Sequence, residues 1–508
     1  MGHEEYGGFE IIPRRPVMTH LWLLDVPIGN PNKPVVPIRL TEGQEFTVDD
    51  FSWSPDSQRI AFSARKDSNA DSEATSRIYL LNVPDKSLAV IVNTKGPNNS
   101  PHWSPDGKQI AYITANGRDD YLFANPCIAT VLATGSKPTV YSGIFDEDPT
   151  LIGWTRGGIY FSASQRTYAH LFCLMPGTKV VRRVSAPTEM IGRDFALDRG
   201  GTRVAFTLAD SKTAFDIAIS PVGAFTPRRL TDMTSAFLKY RIATREVISW
   251  KSSDGTSIEG ILIKPADFKT GRKYPLFCII HGGPTDVDQA YIGNSGAFPV
   301  EQLVAKGALV LRVNYRGSAG YGEKFRALNV RNLGLGDCED VISGVDALAA
   351  KGMVDKQRVG AMGWSEGGYI CAFMATYTDR FRAVSVGAGI ADWTAYYAST
   401  DIHEFTRQYL KATPWDDPEI YRKTSPITYI KRAKTPMLII HGEHDARVPV
   451  SNAYELYQGL KDQGIPVKML LYMGPGHGVS NPKGQRAVNE NNYEWFCHWI
   501  WGDKMAGE

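Results

Sequence analysis

One phrase of the sequence recurs at a fixed interval and limits what the first half of the chain can fold into. Phe51-Ser52-Trp53-Ser54-Pro55-Asp56 leads into Arg59-Ile60-Ala61-Phe62-Ser63, and His102-Trp103-Ser104-Pro105-Asp106-Gly107 leads into Gln109-Ile110-Ala111-Tyr112. Weaker copies lie at residues 154–161 and 198–206, and further short apolar runs at 77–83, 170–175 and 216–220 fall between copies. Each unit reads strand, turn of the Pro-Asp-Gly kind, strand, short loop, strand. Proline presets φ in such a turn and glycine accepts a positive φ. A period of roughly 40–50 residues with several strands per unit is that of a β-propeller blade. The repeated Trp-Ser-Pro-Asp favours it over a β-sandwich with similar turns. Four units are clear between about residues 20 and 231, and His20-Leu21-Trp22-Leu23-Leu24-Asp25-Val26 reads as an inner strand of a partial fifth. The repeat fits either a small propeller or a chain that begins part-way through a larger one.

After residue 231 the repeat fades, and from about residue 245 the pattern changes. Two alternating strands at 246–251 and 257–264 flank the turn Ser253-Asp254-Gly255. Strands and helices then alternate, which argues for a mainly parallel sheet covered on both faces. Strands are expected at 274–281, 308–314, 358–364, 383–387, 437–441 and 467–472, and helices at 299–306, 338–350, 370–378 and 489–501. With 508 residues the chain is too long for one ordinary core. The expected domains are an all-β propeller over residues 1–235 and an α/β domain over 236–508.

Gly363-Trp364-Ser365-Glu366-Gly367 stands between an apolar strand and a helix-forming run. That setting is the strand-to-helix elbow which exposes a serine hydroxyl at the top of an α/β-hydrolase sheet. A serine nucleophile needs a base to take its proton and an acid to orient the base. In this fold they follow in the order Ser, Asp or Glu, His, on loops after later strands. Asp445 follows the strand ending at His441, with Glu443 as a rival acid two residues away. His477 lies in Gly474-Pro475-Gly476-His477-Gly478 after the next strand. His441 ends a strand expected to be buried and His498 lies in the last helix, so both read as structural; His444 is the remaining late histidine. An oxyanion needs donors, and Gly282-Gly283 follows the strand that supplies one of them. The backbone N–H groups of Gly283 and Glu366 are assigned to that task.

The motifs together resemble the prolyl oligopeptidase family of serine peptidases, and most of all its acylaminoacyl-peptidase branch. They are His281-Gly282-Gly283-Pro284, Asn314-Tyr315-Arg316-Gly317-Ser318-Ala319-Gly320-Tyr321-Gly322, Gly363-Trp364-Ser365-Glu366-Gly367-Gly368-Tyr369, Ser425-Pro426-Ile427, His441-Gly442-Glu443-His444-Asp445-Ala446-Arg447-Val448-Pro449 and Gly476-His477-Gly478. The resemblance covers residues 245–505; the propeller half is similar in type only. It implies Asp445 as the acid and Arg447 as the group that binds the carbonyl of the substrate's penultimate residue, where the bland alternative is a surface arginine paired with Glu443. It also implies hydrolysis of short peptides through an acyl-enzyme, with the propeller screening out folded proteins. Three features depart from the family. His281 stands where prolyl-specific members carry a tyrosine, leaving the oxyanion to backbone donors. Glu366 replaces a tyrosine often found after the serine, and a carboxylate there would disfavour anionic substrates. The propeller is short, which points to an N-terminally incomplete chain.

Other classes fall away on composition. Lys plus Arg is 56 against 54 for Asp plus Glu, a net charge of +2 without blocks of like charge. Nucleic acid and anionic membrane are therefore not expected partners. No cationic-then-apolar leader opens the sequence and no apolar run is long enough to cross a bilayer. The six cysteines, 127, 173, 278, 338, 371 and 497, show no metal-ligand spacing and read as reduced thiols of a cytoplasmic protein. No cofactor or metal is expected. The expected function is a serine peptidase acting on short peptides. The same triad also serves a carboxylesterase acting on small acyl esters, and a propeller binding platform beside an inactive hydrolase is a third reading. Trp393, Tyr396, Tyr397 and Phe405, between Gly389 and Pro414, suggest an apolar pocket for the residue before the cleaved bond, though core packing explains them equally. A homo-oligomer is compatible with the sequence.

Overall fold

The structure is a computed structural model describing residues 16–26, 35–293, 296–474 and 476–505. The opening Met1 to Tyr6 and Pro475 of the histidine loop lie outside the described residues. By contacts the chain forms two compact units. One comprises Met1–Tyr121, Pro126–Ser142 and Gly153–Ile159, the other Leu122–Asn125, Gly143–Ile152 and Tyr160–Glu508.

In the first unit, Trp22–Leu23 pairs with Ile38–Arg39, and two antiparallel four-stranded meanders follow. The first runs through Thr47–Trp53, Arg59–Arg65, Arg77–Asn82 and Leu88–Val92, the second through Asn98–Trp103, Gln109–Thr114, Cys127–Leu132 and Thr139–Val140. The repeated phrase has a local cause. Ser54 Oγ donates to Asp56 Oδ1 (2.5 Å) and accepts from Arg59 N (2.9 Å), while Gln58 N donates to the same Asp56 oxygen (3.1 Å). Ser104, Asp106, Lys108 and Gln109 repeat the network at 2.7, 3.1 and 2.9 Å. Serine and aspartate thus close the turn between the first two strands of each meander. Trp103 Nε1 reaches back to Ser52 O (3.1 Å), and the Arg59 guanidinium lies 4.8 Å from the Trp103 ring centroid.

Two further meanders share one sheet. The first comprises Thr150–Thr155, Gly158–Gln165, Tyr168–Met175 and Val180–Arg183; the second comprises Ile191–Leu197, Arg203–Ala209, Asp216–Pro221 and Arg228–Arg229. They join through a single parallel pair, Ala169 with Ile191. Among the described residues the all-β elements are therefore four meanders and one two-stranded pair.

The α/β part of the second unit is built on eight strands: β1 (Thr244–Lys251), β2 (Ser257–Lys264), β3 (Tyr274–Ile280), β4 (Leu309–Asn314), β5 (Val354–Trp364), β6 (Ala383–Gly387), β7 (Met437–Gly442) and β8 (Val467–Tyr472). Their spatial order is β1-β2-β4-β3-β5-β6-β7-β8. The first two pairings, β1 with β2 and β2 with β4, are antiparallel, and all the others are parallel. All seven residues of β3 are buried. Leu276, Cys278 and Ile280 point into one apolar cluster, with the helices α2 (Gly336–Ala350) and α3 (Glu366–Tyr377). Phe277 and Ile279 point into the other, with α1 (Val300–Ala305) and α5 (Pro482–Phe496). A strand covered on both faces reads as an unbroken apolar run, as this one does. The helix α4 (Ser451–Asp462) lies between β7 and β8 in the chain.

Two helices begin earlier than the sequence suggests. The helix expected from residue 370 starts at Glu366, directly after the elbow serine. The last helix starts at Pro482 rather than 489, because Asn481 caps it (Oδ1 accepts from Gly484 N at 2.6 Å) and proline suits its first turn. The excursion after β6 folds into two short helices, Trp393–Ser399 and His403–Leu410.

Candidate active site

The parallel strands bring the expected site residues to one edge of the sheet. Gly282 and Gly283 follow β3, Ser365 follows β5, Asp445 follows β7 and His477 follows β8. Ligands of such sheets bind at the carboxyl ends of the strands.

Ser365 stands at φ 60°, ψ −121°, a conformation non-glycine residues rarely adopt. Its N–H donates to Gly387 O (2.9 Å) and its carbonyl accepts from Tyr369 N (2.9 Å), so strand and helix both hold the turn. The glycine two residues on is a packing requirement: a Cβ at Gly367 would lie 2.0 Å from Ile280 O and 2.8 Å from His281 O.

His477 Nε2 lies 2.9 Å from Ser365 Oγ, and His477 Nδ1 lies 2.8 Å from Asp445 Oδ2. An ionised carboxylate only accepts, so Nδ1 carries the proton and Nε2 is left to accept from the serine hydroxyl. The other oxygen of Asp445, Oδ1, accepts from the backbone N–H of Arg447 and Val448, both at 2.9 Å. Its side chain is fully buried, whereas that of His477 is 30% exposed. Trp364 Nε1 donates to His477 O (2.8 Å), fixing the histidine loop to the residue before the nucleophile.

The other late histidines have different partners. His441 Nε2 donates to Val448 O (2.7 Å), bracing the acid loop, and burial lowers its pKa, so the ring is neutral. His444 is exposed, 3.7 Å from Glu443 Oε2. His498 Nδ1 is paired with Asp503 O (2.9 Å). Glu443, the rival acid, accepts from Gly474 N (3.2 Å).

The backbone of Gly282 runs against the nucleophile, since a Cβ there would lie 3.3 Å from Ser365 Cβ. Gly283 has φ +118°. Its N–H and that of Glu366 donate to no partner among the described residues. Nearby, His281 stacks on Tyr315 (centroids 4.5 Å apart) and its Nε2 meets Ser318 Oγ at 2.9 Å, so its ring is held within the core.

Two side chains behave differently from the sequence expectation. Arg447 pairs with Asp401 rather than with Glu443. Its Nε lies 2.7 Å from Asp401 Oδ1 and its Nη2 3.3 Å from Oδ2, and Asp401 N and Thr400 Oγ1 also bind the backbone of Ala446 and Arg447 (3.0 and 2.8 Å). Glu366 is only 2% exposed. Burial, with the charge of Asp337 as a second cause, raises its pKa well above the usual carboxylate range. Both causes disfavour its charged form, so this side chain is not the exposed carboxylate that the sequence suggests. Trp393, Tyr396, Tyr397 and Phe405 are all buried, with Trp393 packed on Tyr369 at 4.8 Å.

Sequence reasoning did not single out Trp364, Asp401 or Asp337. Trp364 had a visible signal, its place beside Ser365; the other two act from distant positions. A cavity of about 480 Å³ is lined by Thr285, Asp286, Arg193, Asp148 and Gly320 among others, and by none of the triad residues. A larger one, about 580 Å³ and lined by Arg331, Asp417, Arg422 and Arg432, contains none of the site residues. Among the described residues no cluster of His, Cys, Asp and Glu is suited to hold a metal ion, and no helix is long and apolar enough to cross a membrane.

A model of the prolyl oligopeptidase family matches residues 297–502, which include Ser365, Asp445 and His477. Residues 297–502 belong to the prolyl oligopeptidase family. The chain around this family domain is 28% identical over 468 residues to dipeptidyl-peptidase 5 of Porphyromonas gingivalis, a match spanning 89% of this chain and 67% of that protein. It is 32% identical over 253 residues to the acylamino-acid-releasing enzyme of Homo sapiens, spanning 48% of this chain and 34% of the human protein. Among solved structures it is similar to the acylaminoacyl peptidase of Pyrococcus horikoshii (TM-score 0.72, 21% identity, 93% of this chain and 85% of that one). It is likewise similar to a puromycin hydrolase (TM-score 0.74, 20% identity, 96% and 84%). At these identities the solved structures speak for the fold: an all-β domain followed by an α/β-hydrolase domain. The chain spans about two thirds of the dipeptidyl-peptidase and about a third of the human enzyme.

Proposed function

We propose that the protein is a serine peptidase that cleaves short peptides through an acyl-enzyme. The observation that carries this reading is the His477 ring, with Ser365 Oγ at 2.9 Å on one nitrogen and Asp445 at 2.8 Å on the other. Ser365 Oγ attacks the peptide carbonyl as His477 Nε2 takes its proton, and Asp445 holds the ring and stabilises the imidazolium. The negative oxygen of the tetrahedral intermediate is received by the N–H groups of Gly283 and Glu366. His477 returns the proton to the leaving amine, and water, activated by the same ring, releases the acyl group. Arg447, aimed by Asp401, binds the carbonyl of the preceding substrate residue through the donors left free on its fork.

The names of the relatives, dipeptidyl-peptidase and acylamino-acid-releasing enzyme, support a short peptide as substrate. No residue of the site favours the ester reading over it. We assign the propeller to residues 1–235 and the catalytic domain to 236–508. The scattered cysteines, five of them buried, support a reducing compartment, the cytoplasm. The test is Ser365→Ala, assayed on acylated and free-amino dipeptide anilides. Turnover is expected to fall by about 10⁴-fold or more with the fold intact; turnover within tenfold of the unsubstituted protein would remove Ser365 as the nucleophile.

A further inference from the structure

Arg447 enters the mechanism above as a hydrogen-bond donor, which leaves its charge without a part. A guanidinium stays protonated in a protein and carries five N–H donors. Unpaired at a peptidase site, it would draw a carboxylate more strongly than the neutral carbonyl assigned to it. The Arg447 side chain is 42% exposed, so a ligand can reach it. Which of the two ligands it receives depends on what already answers its charge.

The residue is pinned at backbone and fork. Its N–H donates to Asp445 Oδ1 (2.9 Å); the other oxygen of that carboxylate meets His477 Nδ1 (2.8 Å), and His477 Nε2 meets Ser365 Oγ (2.9 Å). A continuous run of hydrogen bonds thus ties the Arg447 backbone to the nucleophile. Its carbonyl accepts from Thr400 Oγ1 (2.8 Å), and Asp401 N donates to Ala446 O (3.0 Å). Thr400 is buried, and with Asp401 it lies between the helices Trp393–Ser399 and His403–Leu410. Asp401 is therefore fixed beside the arginine through its own backbone. Its carboxylate takes one edge of the guanidinium, with Oδ1 on Nε at 2.7 Å and Oδ2 on Nη2 at 3.3 Å. Two of the five donors are engaged in this way, which leaves both N–H groups of Nη1 and one of Nη2.

Three remaining donors would serve a carbonyl or a carboxylate alike, so charge has to separate the two. With Asp401 in place the guanidinium charge is already answered. A second carboxylate gains little attraction there and meets the repulsion of Asp401, whereas a neutral carbonyl oxygen keeps its hydrogen bonds. We propose that Asp401 is a specificity-determining residue: by cancelling the charge of Arg447 it makes the site accept a neutral unit before the residue that acylates Ser365 and turn away one bearing a carboxylate. The substrates are then peptides and N-acyl residues whose penultimate unit is uncharged. This inference rests on the peptidase reading and on Arg447 as the carbonyl donor, and it adds the sign of charge that the site tolerates. The sequence gives Glu366 the task of disfavouring anions; Glu366 is 2% exposed, and the task falls to Asp401, whose carboxylate is 39% exposed.

The experiment compares kcat/KM for N-succinyl-alanine anilide and its neutral isostere, the N-succinamoyl compound, with active sites counted by a fluorophosphonate. The pair differs in one charge and in nothing else of size or shape. The unsubstituted protein is expected to favour the neutral substrate by about fivefold, the scale of one partly exposed ion pair. Asp401→Asn is expected to lower that ratio by about fivefold or more, Asp401→Glu to restore it, and about 1 M salt to abolish the gain of the anionic substrate in Asp401→Asn. A merely structural loss would slow both substrates together and leave the ratio as it was. Where Asp401→Asn does not yield folded protein, the ratio in the unsubstituted protein decides. An anionic substrate turned over as fast as its isostere by the unsubstituted protein, or a ratio that Asp401→Asn leaves unchanged, overturns the proposal while turnover and labelling uphold the peptidase reading. Absence of all turnover together with absence of labelling refutes the peptidase reading itself, and the specificity with it.

Discussion

Replacing Asp445 by asparagine separates the orienting role of the acid from its role in holding the loop. Oδ1 of Asp445 accepts two backbone N–H groups at 2.9 Å, and an asparagine Oδ1 accepts the same two. The amide NH₂ then occupies the place of Oδ2, 2.8 Å from His477 Nδ1. An NH₂ group only donates, so His477 must accept at Nδ1 and carry its proton on Nε2, facing Ser365 Oγ. In that tautomer it cannot take the serine proton. The expected fall in kcat is about 10⁴-fold, as for the equivalent change in a serine-protease triad, or about 5 kcal/mol of barrier. Folding stability should fall by no more than the charge-assisted bond lost, about 1.5–3 kcal/mol. The assay is kcat on a dipeptide anilide at pH 7, with the fluorophosphonate labelling rate and thermal unfolding measured alongside. Glu443→Gln is the companion, because the Glu443 carboxylate accepts from Gly474 N at 3.2 Å and faces His444 rather than His477; its activity should change by less than about threefold, the scale of one ordinary hydrogen bond. Activity within tenfold in Asp445→Asn, with a thousandfold loss in Glu443→Gln, would refute this assignment of the acid.

Two further outcomes concern the scaffold. Gly367→Ala puts a Cβ 2.0 Å from Ile280 O, on the backbone of the central strand, so stability should fall by about 3 kcal/mol or more, read as a lowered Tm or loss of soluble protein; an unchanged Tm would contradict the elbow geometry. Asp337 is fully buried and its pKa is raised to about 7, burial being the main cause. The unfolded chain ionises this group near its ordinary value of 3.8, so between about pH 4 and 7 the unfolded state binds fewer protons and stability falls as pH rises, by up to about 4 kcal/mol, and is flat above. Urea unfolding at pH 5 and 7.5 should show that slope reduced in Asp337→Asn, and equal slopes in the two proteins would refute it.

What was legible in the sequence is what short-range chemistry writes there. The turn Trp53-Ser54-Pro55-Asp56 could be read because its serine and aspartate bind backbone within five residues, so the same letters must recur where the same turn recurs. Ser365, Asp445 and His477 could be read because each follows its own strand, and a parallel sheet delivers all such loops to one edge. The exchange of β3 and β4 in the sheet order has no such local signature, nor has the grip of Asp401 on Arg447, which links positions far apart in the chain. Burial was the harder quantity. The aromatic residues of 389–414 gave equal support to a pocket and to a core, and only packing shows that Trp393 is fully covered and Tyr396 buried beside it, 5.1 Å between ring centroids.

Glu366 shows why that distinction matters at a catalytic elbow. The elbow needs an N–H from the residue after the serine, and every residue except proline supplies one. The side chain at that position is therefore not constrained by the oxyanion, and its identity is open to a different requirement. A glutamate is a poor choice for filling a buried aromatic site: ionised it is unpaired, and neutral it leaves Oε1 without a donor. The elbow thus carries an unfavourable buried acid at a place where the oxyanion asks only for a backbone N–H, and that residue is not accounted for by the catalytic chemistry.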